Sequence, residues 1–517
     1  MVERPRPDWV RRRPDAYWFV VATVCLGAFI GQLDASIVTV AFPAMEHSFG
    51  AGLGGVEWVS LAYLLTLVGL LPAVGRLADM KGRKSLYLLG FAVFTVASAA
   101  CALAPDLPVL CLLRVGQAAG AALLQANSVA LISDAMPRDM LGRGLGVQGT
   151  AQAVGLALGP ALGGLLVSAG GWRLVFLVSV PVGVLGLLLG VVFLPRTRVF
   201  AAKAPFDWPG LTLFLPACGA VVIALSLADG AIPPAALAGL AVVAVAAGVG
   251  FVRRERSSSA PLIDLSLLSR RVFGGGLAAG ALSFVVLFGV LLVVPLYAVA
   301  GLAISAGQAG LRLAVLPAAL ALTAPLSGRF ADRHGPRLPV TVGMGVAAAG
   351  LVVLAAGPRT GPLLLAGLAV IGVGLGMFTP ANNSAIMHRA AAGGSGTAGG
   401  LLTLVRGLGT AGGVAVAGLV YAVGTRGTGS LRSAAGHGFG ITCAALAVVA
   451  VGAALAGARA AGGAAGTAAP GPVTDRPAQS SPTASVSTTS SSASAGSAPS
   501  AASAPSAASL RNRDITR

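Results

Sequence analysis

GRLADMKGRK at residues 75–84 and GRFADRHGPR at residues 328–337 are two copies of one short pattern. Gly75/Gly328, Arg76/Arg329, Ala78/Ala331, Asp79/Asp332 and Gly82/Gly335 coincide. Each copy is a basic turn that follows the second apolar run of a set of six, so the chain reads as a duplicated six-helix unit.

Working outward from these turns, apolar runs lie near 18–43, 58–77, 86–103, 107–132, 147–168, 173–194, 209–228, 233–252, 272–298, 309–331, 339–357, 361–386, 396–422 and 437–457. A run of about 18 residues or more crosses a hydrocarbon core about 30 Å thick as a helix, and helices satisfy their own backbone polar groups in lipid. Composition agrees: the 517 residues are 56% hydrophobic and only 10% charged, with a mean hydropathy of +0.86. The expected fold is an all-α polytopic membrane protein with fourteen transmembrane helices: two six-helix bundles at 17–195 and 272–459, and two inserted helices within 196–271. Residues 1–16 form an N-terminal segment, and 460–517, rich in Ala, Ser, Pro, Gly and Thr, are expected to be a disordered tail. The first run is too long, and lacks the small-residue cleavage pattern, to be a removable signal peptide.

Charge sets the orientation. Arg and Lys concentrate in alternate loops: Arg76/Lys81/Arg83/Lys84, Arg138/Arg143, Arg196/Arg198/Lys203, Arg253/Arg254/Arg256/Arg270/Arg271, Arg329/Arg333/Arg337 and Arg389, together with the N-terminal segment. The intervening loops hold only Arg173, Arg359, Arg426 and Arg432, so both termini are expected to be cytoplasmic in a plasma membrane. The net charge of +18 is therefore a topological signal and not a nucleic-acid face. The five cysteines sit singly in apolar runs without metal or redox spacing.

Three motifs carry more than topology. In GRLADMKGRK the glycines Gly75 and Gly82 permit a tight helix join, while Asp79 can accept hydrogen bonds from helix starts or pair with a basic residue such as Arg83. The fifth run reads GLALGPALGG, with Gly155, Gly159 and Gly163 on one face for close helix approach and Pro160 permitting a bend. The fourth contains RVGQAAGAALLQ at 114–125. With LDASIVTVAFP at 33–43, WVSLAYLL at 58–65, GWRLVFLVSVPVG at 171–183 and the two-helix insertion, the chain resembles the major facilitator superfamily, in its fourteen-helix drug:proton antiporter branch (EmrB/QacA type), over about residues 17–457. The resemblance implies that Gly75, Asp79, Gly82 and Arg83 latch one conformational state and that Gly155, Gly159, Pro160 and Gly163 form the antiporter helix. Two departures stand out: Pro336 interrupts the second turn, and Ala118 replaces the usual glycine after Arg114 and Gln117.

Of 17 acidic residues, Asp34 alone falls well inside an apolar run. Intramembrane carboxylates are costly and usually functional. Asp34 lies nine residues before Pro43, about 14 Å below the outer end of its run, and Arg114 lies seven after Leu107, about 10 Å below. Burial disfavours a charged carboxylate and a nearby arginine favours it, the competition a proton switch requires. Asp34 with Arg114 is thus the expected proton-coupling pair, against a purely structural ion pair. Gln32, Gln125, Asn127, Asn382 and Asn383 are candidate polar linings of a substrate cavity, with Trp58, Tyr63 and Phe378 as apolar walls. Arg406 is deep in the thirteenth run and Arg312 is near the outer end of the tenth.

The function expected is export of small amphipathic molecules such as drugs, antibiotics or a secondary metabolite, in exchange for protons, by alternating access. A metabolite or nutrient carrier of the same fold is the nearest alternative; sodium in place of protons is a separate one, disfavoured by the single carboxylate and the resemblance. A polytopic enzyme or sensor fits poorly, because the four histidines fall at loops or helix ends and no catalytic or metal constellation is visible. No GxxxxGK[ST] phosphate loop is present, so no ATP-driven step, cofactor or metal is expected; nor is a nucleic-acid or obligate protein partner.

Overall fold

A computed structural model describes residues 6–197, 205–226, 233–258, 261–263, 265, 271–356, 361–389, 395–426 and 430–462. The tail expected from residue 460 lies outside these from 463 onward, as do parts of the linker between the halves; residues 460–462 continue the last helix, whose Ala-rich end favours it. The described residues are helical and contain no strand.

Among the described residues fourteen long helices follow in order, with shorter ones at Asp8–Arg11, Phe42–Phe49 and Ala306–Leu313: α1 (Ala16–Ile37), α2 (Leu53–Lys81), α3 (Arg83–Ala102), α4 (Leu107–Ala135), α5 (Leu141–Gly170), α6 (Arg173–Phe193), α7 (Trp208–Ser226), α8 (Pro234–Ser257), α9 (Arg271–Ala300), α10 (Val315–His334), α11 (Arg337–Ala355), α12 (Gly361–Met387), α13 (Ser395–Gly424) and α14 (Leu431–Gly462). Thirteen are long and apolar enough to cross a membrane; the apolar stretch of α7, Trp208–Ala224, is shorter. The first span does not end near Pro43, as its sequence pattern suggests. After α1 the chain makes a 3-10 turn at Val38–Ala41 and continues as a helix over Phe42–Phe49, because Pro43 sits in that helix's first turn, where its missing N–H costs nothing.

The duplication is visible in the packing. In the first half α1 packs on α5, α3 on α4 and α2 on α4; in the second, α9 packs on α13, α11 on α12 and α10 on α12. The two halves meet along α2 with α13 and along α5 with α10, which are corresponding pairs in the repeat. Small residues make these approaches feasible. An added Cβ at Gly120 on α4 would lie 2.5 Å from the Phe94 nitrogen on α3, and one at Gly374 on α12 would lie 2.5 Å from the Ala347 nitrogen on α11. Pro72 in α2 and Pro325 in α10 also correspond.

The pair α7 and α8 packs together and touches the rest through α7, against α2 and α13. Large apolar side chains such as Leu112, Leu322 and Val448 point outward, the surface expected of a protein solvated by lipid tails.

Candidate functional site

Asp106 starts α4 by accepting the Val109 N–H at 2.8 Å, and two turns further in the helix presents Arg114 and Gln117 on one face. That face meets Asp34 of α1. The Arg114 Nη1 donates to Asp34 Oδ2 at 2.7 Å, and the Gln117 Nε2 donates to Asp34 Oδ1 at 2.9 Å and to Ser98 Oγ at 2.8 Å. Arg114 also donates to the Gln117 Oε1 at 2.6 Å and the Val59 carbonyl at 3.1 Å, and its guanidinium stacks 4.1 Å from the Tyr63 ring centre. Asp34 and Arg114 are 0% and 1% exposed. The sequence marks the charged pair but not Gln117 or Ser98 as its partners. The three-residue spacing of Arg114 and Gln117 was the available signal for the first; nothing in the sequence pointed to the second.

Beside this network a cavity of about 210 Å³ opens between the halves. Gln32, Tyr63, Arg114, Gln125, Phe284, Phe288, Thr403 and Arg406 are among its lining residues, and no Asp or Glu is. The candidates Trp58, Asn127, Phe378, Asn382 and Asn383 are not among the lining residues of this cavity. Trp58, at 44% exposed, sits on the surface near the start of α2, one helical step from Val59, which faces Arg114. Asn127 donates to the Leu123 carbonyl of its own helix at 2.8 Å, and Asn382 ties α12 to α9 through the Gly276 carbonyl at 3.0 Å. Phe378 is buried in the apolar core of the second half, and Asn383 is buried too. Lipid-embedded interfaces absorb such groups into packing, so helical phase alone does not separate cavity from contact.

At the end carrying the basic turns, Asp79 reaches across to the other half. Its carboxylate accepts the Gly396 N–H at 2.9 Å, the Thr397 N–H at 2.8 Å and the Thr397 hydroxyl at 2.8 Å, so it occupies the N-terminus of α13. The helix dipole and the unpaired first-turn amides make that position favourable for an anion. Arg83 clamps the same carboxylate, with Nη2 at 2.6 Å, and bonds Asp134, which also accepts from the Ser395 hydroxyl at 3.2 Å. Gly82, between Asp79 and Arg83, has φ +105°, which side chains rarely tolerate. A Cβ on Gly75 would lie 2.7 Å from the Gly396 carbonyl oxygen, so that glycine allows α2 and α13 to touch.

The second turn repeats the operation. Asp332 accepts the Gly142 N–H at 2.6 Å and the Arg143 N–H at 2.8 Å, at the start of α5, and Gly335 has φ +84°. Pro336 stands where Arg83 stands in the first copy and supplies no donor, so the clamp is missing there. On α5 the three spaced glycines all face α1: Gly155 lies against the Phe29 carbonyl, Gly159 against Ser36 and Gly163 against Ile37. Pro160 is on the exposed side of α5.

The family model of the Major Facilitator Superfamily matches residues 24–414, which include both turns. The chain belongs to this superfamily. Among curated superfamily relatives, the "Riboflavin transporter RibZ" of Clostridioides difficile is 30% identical over 72% of this chain and 80% of its own length. The "Multidrug resistance protein Stp" of Mycobacterium tuberculosis is 34% identical over 77% of this chain and 74% of its own. A crystal structure of the human organic anion transporter MFSD10 superposes with a TM-score of 0.61 at 18% identity, covering 86% of this chain and all of that one, a likeness of fold. This superfamily member is a multi-pass membrane transporter and not an enzyme.

Proposed function

We propose that this transporter exports small amphipathic molecules in exchange for protons, as a member of the fourteen-helix drug:proton antiporter branch. The bundles at 17–195 and 272–459 rock about the cavity between them, with both termini on the cytoplasmic side of the plasma membrane. The observation that carries the reading is the Asp34–Arg114–Gln117 network, a carboxylate with every oxygen engaged, placed beside the cavity through its arginine. Protonating Asp34 removes the counter-ion of Arg114 next to the substrate space, so the proton and the substrate act on one electrostatic site. The names of relatives support export of varied compounds, since Stp is a "Multidrug resistance protein" and a second Mycobacterium tuberculosis relative, 32% identical, is a "Drug efflux pump". The latch at Asp79 closes the basic end in this state, which leaves exchange with the opposite side.

The test is transport of a panel of dyes and antibiotics in proteoliposomes under an imposed pH gradient, with Asp34→Asn beside the native protein. Gradient-driven movement that disappears in the variant supports coupling through Asp34; equal movement by both proteins places coupling elsewhere.

A further inference from the structure

Arg406 stands at the cavity with no described carboxylate to neutralise it. It lies eleven residues into α13 from Ser395, about 16 Å along the helix and so near half depth of a hydrocarbon core about 30 Å thick. The side chain is 8% exposed and lines the cavity. Its guanidinium carbon is 5.3 Å from the Phe284 ring centre, and among the described residues no carboxylate or hydrogen-bond acceptor engages it. The cavity's other guanidinium, Arg114, is already matched by Asp34. With no Asp or Glu in the lining, the space carries one uncompensated positive charge.

A buried cation without a partner is unfavourable and is kept where a counter-ion arrives from outside. A planar guanidinium suits carboxylates and sulfonates, which it meets with two parallel hydrogen bonds. Next to it, Phe284 and Phe288 stack with centroids 6.1 Å apart and form one apolar wall of the cavity. Tyr63, whose ring is on the lining, has a buried hydroxyl with no partner among the described residues. We propose that the cavity selects amphipathic organic anions, with the anionic group on Arg406 and the apolar body against Phe284 and Phe288. Lipophilic cations are disfavoured, because the carboxylate that would attract them, Asp34, is fully spent on Arg114 and Gln117.

This inference rests on the reading of the cavity as the transport site, and the experiment separates the two. Binding of 2-naphthoate, 2-naphthylmethanol and 2-naphthylmethylammonium to the purified full-length protein is measured by equilibrium dialysis in chloride-free buffer at neutral pH. The native protein is expected to bind naphthoate at least about tenfold more tightly than the alcohol and the ammonium least, by the usual difference a charge-assisted pair makes. Arg406→Gln should remove that preference while leaving the alcohol within about twofold, and Arg406→Lys should keep part of it. Thr410→Trp, which fills the cavity, should abolish binding of all three; size-exclusion and thermal-unfolding profiles check that each variant is folded. Native protein that prefers the ammonium, or does not distinguish naphthoate from the alcohol, overturns the proposal whatever the variants do. Naphthoate preference lost in Thr410→Trp but kept in Arg406→Gln overturns the Arg406 pairing alone. Binding unchanged in Thr410→Trp, or no binding of any probe, overturns the cavity as the site and the anion proposal with it.

Discussion

Asp79 and Asp332 occupy the same place in the two copies of the repeat, and each caps the first turn of a helix in the opposite half: Asp79 at Gly396 and Thr397, Asp332 at Gly142 and Arg143. The two halves therefore hold each other by exchanging one carboxylate apiece. The exchange is unequal, because Arg83 and Asp134 reinforce the first contact and Pro336 leaves the second without an equivalent.

That inequality sets the first prediction. Asp79→Asn should shift the equilibrium towards the form open at the basic end by about 1–3 kcal/mol, the range for loss of a charge-assisted contact at a helix start. Asp332→Asn should shift it less. Distances between spin labels at the basic ends of α2 and α13, and of α5 and α10, report the populations. Equal shifts in the two variants would refute the idea that Arg83 makes the first latch stronger.

The close contact of α5 with α1 gives the second. Gly155→Ala places a methyl carbon 2.5 Å from the Phe29 carbonyl oxygen, and Gly163→Ala places one 3.1 Å from Ile37 Cγ1. Gly164→Ala meets nothing within 4 Å. The first substitution should cost about 1–3 kcal/mol by overpacking, the second less, and the third should be near neutral or slightly stabilising. Thermal unfolding in one detergent ranks the three, and a Gly164 variant as unstable as the Gly155 variant would contradict the packing account.

The third concerns the buried pair. Arg114→Gln leaves Asp34 buried beside Gln117 without its cationic partner, and should destabilise by about 3–5 kcal/mol, the usual result of breaking a buried pair from one side. Adding Asp34→Asn should recover most of that loss, because a neutral amide pair needs no counter-ion. A double-mutant cycle on unfolding in detergent measures the coupling. Additive losses would show that the two residues do not act as a pair.

Much of this was legible in the sequence for a definite reason. Lipid forces every span to be an apolar helix, so length and hydropathy locate the helices, thirteen of which, among the described residues, are long and apolar enough to cross a membrane where the sequence pattern suggests fourteen. A turn of ten residues repeated once then gives the duplication, and a lone Asp34 in an apolar run marks itself by its cost. What helical pattern does not carry is which face of each helix meets which neighbour. Asn382 and Phe378 look in sequence like cavity residues, but Asn382 ties α12 to α9 and Phe378 sits in the apolar core of the second half, while Asn127 bonds back to its own helix. Phe284 belongs to the cavity without a sequence signal that separates it from other buried residues, and Arg406 marks itself in sequence by its depth but not by the cavity it lines.

The sequence by itself determined the class of molecule, the repeat and the identity of the charged pair, since these follow from local composition and from the energetic penalty of charge in hydrocarbon. Only the tertiary structure decided that Asp34 is fully engaged while Arg406 is not, and that each half's aspartate caps the other half's helix. Those facts depend on contacts between residues as far apart in the chain as Asp79 and Thr397, and such contacts are set by how whole helices pack and not by any stretch of sequence.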